Sequence, residues 1–127
     1  MKKNIYVLGN PHQKIDSLPL KIMPKLQSLF PQLSFIHLDP TEDLPEKSMK
    51  ELILLDTVFG IEEVSLFHNL DCFSRSPRVS LHDFDLPLSL GLSQKLGKIK
   101  SIKIIGVPQK GNMKRCIDQI KTILESI

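Results

Sequence analysis

The chain has 127 residues and a mass of 14.4 kDa, enough for one domain that buries roughly two thirds of its unfolded surface and too little for a two-domain enzyme. Hydrophobic residues make up 41% and charged residues 24%, a balance that excludes a disordered or fibrous chain. Seventeen basic against fourteen acidic residues leave a net charge of only +3, and the basic ones are scattered apart from a mild cluster at Lys98, Lys100, Lys103, Lys110, Lys114 and Arg115, so nucleic acid is not an expected partner.

Asn4 to Leu8 is a short β-rich run, stopped by the turn residues Gly9-Asn10-Pro11. It is too short for the core of a signal peptide, and no run approaches the ~18 apolar residues of a membrane span, so the expectation is a cytoplasmic protein without membrane insertion. From Asp16 the pattern turns helical, with Leu18, Ile22, Leu26, Leu29 and Phe30 at steps of three and four, Pro19 in the first turn and Pro24 as a kink. Leu33 to Leu38 reads as a second strand ending at Asp39-Pro40, and Glu51 to Leu55 as a buried third strand ending at Asp56. Strand, helix, strand implies a right-handed parallel crossover.

Val64 to Leu70 and Arg78 to Leu81 are further short apolar segments, the second arriving at His82. Asp85 can cap a helix with Pro87 in its first turn, Leu88, Leu92 and Leu96 along one face, and Gly97 as its stop. Ile102 to Ile105 is the last strand, before Gly106-Val107-Pro108. Asn112 caps a terminal helix whose Met113, Cys116, Ile117, Ile120, Ile123, Leu124 and Ile127 form an apolar stripe. Without repeat or linker, residues 1–127 make a single α/β domain of three layers, a mostly parallel twisted sheet flanked by helices, of the phosphorylase/hydrolase-like kind. Cys72 and Cys116 lack metal-ligand spacing and read as buried or incidental thiols.

In open α/β sheets ligands bind beyond the carboxyl ends of the strands. Asp16 lies past the turn after the first strand, Asp39 closes the second, Asp56 the third, and His82 a fourth. Carboxylates and an imidazole brought to one rim make a donor set for nickel, zinc or iron, whereas magnesium disfavours the histidine. Each has a structural alternative. Asp16 suits a helix N-cap, Asp39 before Pro40 suits a turn, and His82 suits a surface position beside Asp83 and Asp85. Asp56, directly after an apolar run, faces partial burial and needs a partner or an ion. His37, between Ile36 and Leu38, reads as a solvent-side strand residue, and His12 and His68 lack partnered spacing. Dinucleotide, phosphate-loop and esterase signatures are absent.

Val7-Leu8-Gly9-Asn10, then Asp16, Leu54-Leu55-Asp56-Thr57, His82-Asp83 and Ile105-Gly106-Val107-Pro108 together resemble the nickel-iron hydrogenase maturation endopeptidase family across nearly the whole chain. The resemblance implies metal binding by Asp16, Asp56 and His82, with Asp39 as a further functional acid. It implies a peptidase that removes the C-terminal extension of a hydrogenase large-subunit precursor after nickel insertion, recognising nickel that the substrate brings. Two departures stand out. The first loop reads Ile15-Asp16-Ser17-Leu18-Pro19 in place of a tandem acidic pair followed by glycines, and Pro40-Thr41-Glu42 replaces the family's Gly-Gly-Thr. Two other classes compete: a receiver-like phosphoacceptor domain with Asp56 after the third strand and Lys110 after the last, and a non-catalytic metal-binding relative.

Overall fold

Two kinds of apolar pattern alternate along the chain, and each takes the element that its period demands. A computed structural model describes residues 3–8, 18–37, 49–69 and 99–126, with the side chains of residues 49, 50, 99 and 100 left aside. In these residues the elements run β1 (Lys3–Val7), α1 (Leu18–Leu29), β2 (Leu33–His37), β3 (Met49–Thr57), β4 (Ser65–Phe67), β5 (Ile99–Val107) and α2 (Met113–Ser126). The strands form one five-stranded sheet in the order β2-β1-β3-β5-β4. All neighbours are parallel except β4, which runs antiparallel to β5 at one edge.

Side-chain alternation along the strands sorts the core into two faces. Ile5, Val7, Ile53, Leu55, Ile105 and Val107 join the cluster that Leu18, Ile22 and Leu26 of α1 and Cys116, Ile117, Ile120 and Leu124 of α2 complete. Both described helices therefore pack on one side of the sheet. The intervening residues, Tyr6, Leu52, Leu54, Ile102 and Ile104, are equally buried, so the sheet is covered on both faces, as three layers require. This double coverage is why Leu52-Ile53-Leu54-Leu55 is an unbroken apolar run rather than an alternating one.

Several boundaries differ from the sequence expectation. β3 begins before Glu51 and continues through Asp56 to Thr57, because pairing with β5 persists to Thr57 opposite Val107. β5 likewise extends through Gly106, which pairs with Asp56 and is not part of a turn. The segment after Val64 does form a strand, of only three residues. α1 is continuous through Pro24, whose exposed position leaves the carbonyl one turn earlier to water. Leu29, expected in the buried stripe, is 50% exposed on the flank of that stripe, while Phe30 just beyond the helix is buried. Asn112 caps α2 as expected, its Oδ1 accepting the Arg115 N–H at 3.1 Å. The expected strand ending at Leu81 and the helix after Asp85 lie outside the described residues, as do Cys72 and Ile127.

Each edge of the sheet is tied to the helix layer by one glutamine. The Gln27 amide of α1 donates to the Leu33 carbonyl at 2.7 Å and accepts the Phe35 N–H at 3.0 Å. Leu33 C=O and Phe35 N–H are the pair that a further parallel strand would engage, so this amide stands in for a neighbouring peptide group. At the other edge Gln119 of α2 accepts the Val64 N–H at 3.1 Å, next to the ion pair between Arg115 and Glu63.

Candidate functional site

From β1 the chain first adds β2 on one side, then crosses to place β3 on the other. The reversal makes the place beyond the carboxyl ends of β1 and β3 a topological switch point, where open α/β sheets bind their ligands. Asp56 is the penultimate residue of β3, at that end. The two strands are joined there by the bond from Leu8 N–H to the Leu55 carbonyl at 2.8 Å, one residue before Asp56.

Asp56 is half-buried, and its Oδ1 accepts the Thr57 N–H at 2.8 Å. That short local bond holds the carboxylate close to the backbone at the strand end. By alternation the side chain shares the face of Leu52 and Leu54, opposite the layer formed by α1 and α2. Its cross-strand partner is Gly106. A methyl group there would lie 2.8 Å from both Phe67 Cε2 and Val58 Cγ2, so these side chains occupy the space beside the carboxylate that any other residue would claim.

Thr57 is the one polar residue buried to this degree among the described residues, at 3% exposure, and its hydroxyl oxygen has no hydrogen-bond partner there. A buried hydroxyl without a partner costs about 1–3 kcal/mol, and by alternation this one lies on the helix face with Leu55 and Val107, opposite Asp56. The sequence singled out Asp56 but not Thr57, since a lone threonine at a strand end carries no pattern. Gly106 was legible as a glycine near a strand end, and only the pairing shows that it faces Asp56.

Of the residues expected to converge, Asp56 is placed at the switch point. Asp16, Asp39 and His82 lie outside the described residues, as do Asp83, Asp85 and His12. Among the described residues no three acidic, histidine or cysteine side chains group closely enough to hold a metal ion. His37 is exposed on the edge strand β2, as expected, and His68 is exposed just after β4. No described helix is long and apolar enough to cross a membrane.

Neither a protein-family model nor a curated protein matches this chain. Solved structures do. The hydrogenase maturating endopeptidase HybD from E. coli superposes with a TM-score of 0.66 over 99% of this chain and 93% of that one, at 15% identity. An endopeptidase from Escherichia coli, solved in solution, gives 0.59 over 99% and 86% at 16% identity. An uncharacterized protein from Wolinella succinogenes gives 0.50 over 99% and 94% at 15% identity. With 99% of the chain covered in every case, the likeness takes in the whole domain and not the sheet alone. This chain has the fold of the hydrogenase maturating endopeptidase HybD.

Proposed function

We propose that this protein is a peptidase of the hydrogenase maturation endopeptidase family, removing the C-terminal extension of a nickel-iron hydrogenase large-subunit precursor once nickel has been inserted. The reading is carried by Asp56, a half-buried carboxylate at the switch point of a fold shared with HybD. The motif resemblance supplies the remaining roles. Asp16 and His82 join Asp56 in grasping the substrate's nickel, or another divalent transition metal in its place, and Asp39 serves as a further acid at the second strand.

Coordination of a metal that the substrate carries fixes the scissile peptide without a deep side-chain pocket. Mixed carboxylate and imidazole donors suit nickel. Hydrolysis then adds water to the scissile carbonyl and breaks the C–N bond. One proton of the water passes through a carboxylate of the set to the departing amine. A receiver-like phosphoacceptor role is disfavoured by the antiparallel β4 beside β5, since receiver sheets are wholly parallel.

The test is incubation with a nickel-loaded large-subunit precursor, with mass spectrometry to detect the released tail and nickel-free precursor as control. Asp56→Asn and His82→Ala should each lower the cleavage rate by about 100-fold or more while the circular dichroism spectrum stays unchanged. Cleavage at the normal rate by either variant removes that residue from the mechanism. Metal affinity without cleavage identifies a non-catalytic relative, and a stable aspartyl phosphate formed from a small phosphodonor and magnesium identifies a receiver.

A further inference from the structure

On the outer surface of the helix layer, α1 and α2 part to leave an open groove of about 430 Å³ whose apolar lining comes from Pro24, Leu29 and Ile117. Leu29 is half exposed there, one of only two large hydrophobic side chains that are exposed among the described residues. Lys25 lines the groove, and Lys21 lies one turn before it on α1. On α2, Lys114 and Lys121 stand three residues before and four after Ile117, on its face of the helix. All four lysines are exposed, and none pairs with an acid among the described residues. Asp118 and Glu125 stand within one turn of Lys114 and Lys121 on α2 and offset their charge, so the unbalanced positive charge at the groove is that of Lys21 and Lys25 on α1, a helix without an acidic residue.

We propose that this groove docks an acidic, amphipathic peptide segment of a partner protein, with leucine-like side chains against Pro24, Leu29 and Ile117 and carboxylates over Lys21 and Lys25. Charge complementarity and the apolar lining together define the occupant. A nucleic acid finds no aromatic or guanidinium platform among the lining residues. A second copy of the chain, related by a two-fold axis, would press the same lysines against each other. The groove is on the helix face of the sheet and Asp56 on the other, so docking here is independent of the peptidase reading and leaves the cleft open.

A dodecapeptide of alternating Glu pairs and Leu pairs is the probe, titrated into the isotope-labelled full chain and followed by amide chemical shifts. Shifts should concentrate on Lys21, Lys25, Leu29 and Ile117. Affinity should fall about tenfold in the Lys21→Glu/Lys25→Glu double variant, and again in Leu29→Ser. A control peptide with Lys in place of Glu should leave the spectrum unchanged. Shifts centred elsewhere, no shifts, or unaltered affinity after charge reversal overturn the proposal. So does stronger binding at these residues by poly-uridylate or by phosphatidylserine vesicles, or a dimer in sedimentation velocity that Leu29→Ser dissolves.

Discussion

Thr57 and Gly106, at the ends of β3 and β5, belong to opposite faces of the sheet: Gly106 shares the face of Asp56, and Thr57 shares the helix face with Leu55 and Val107. The Thr57 hydroxyl is buried without a partner among the described residues, so Thr57→Val should stabilise the protein by about 1 kcal/mol, read as a raised urea midpoint with unchanged slope. Gly106→Ala should have the opposite sign. Its methyl would be 2.8 Å from Phe67 and from Val58, and relieving that overlap should cost about 1–3 kcal/mol in chemical denaturation. Cys116 carries no comparable role: it is a free thiol, buried in the core, and burial pushes its ionisation up despite the nearby Arg115 charge.

At the level of elements, the two glutamines solve a problem that hydrophobic patterning leaves open, namely what to do with the edges of a sheet. Gln27 satisfies Leu33 C=O and Phe35 N–H on β2 and also reaches the Phe30 carbonyl at 3.4 Å, so one side chain closes the end of α1 and shields the strand. Gln27→Leu keeps the bulk and removes all of these bonds. It should lower stability by about 1–3 kcal/mol and promote self-association through β2, measured by denaturation and by light scattering as protein concentration rises. Deuterium exchange at the Phe35 amide should accelerate in the same variant, because that N–H loses its acceptor.

For the molecule as a whole, the two ends of the sheet divide the work. The carboxyl ends hold Asp56 and the orphaned Thr57 hydroxyl, whereas nearer the amino ends Glu51 bridges Lys3 at 3.4 Å and Lys103 at 3.0 Å, clamping β1, β3 and β5 together. Burial alone would raise the Glu51 carboxyl, but the hydrogen bond and charge of Lys103, reinforced by Lys3, outweigh it and hold the group below its ordinary 4.5. A carboxyl depressed in the folded state contributes stability in full above that ordinary value and loses it as the pH falls through the lowered one. Glu51→Gln should therefore cost up to about 1 kcal/mol at neutral pH, and the gap to the parent should close in acid, as followed by thermal unfolding between neutral pH and strong acid.

The amino-acid sequence by itself determined the alternation of strands and helices, the continuous apolar run of β3, the capped and striped α2, and the placing of Asp56 at a strand end, because each is written in local spacing and in the chemistry of neighbouring residues. The same reading stopped β3 too early and put Leu29 in the core. Strand ends and helix flanks are fixed by what packs or pairs with them, and local pattern contains no such partner. Only the tertiary structure decided the strand order and with it the switch point, the pairing of Asp56 with Gly106, the glutamines that seal the edges and the lysine-rimmed groove. Apart from the Gln27 bonds, which span a single turn, these join residues far apart in the chain, and folding brings them together through the burial of apolar surface, a force without direction that leaves no mark in the order of residues between them.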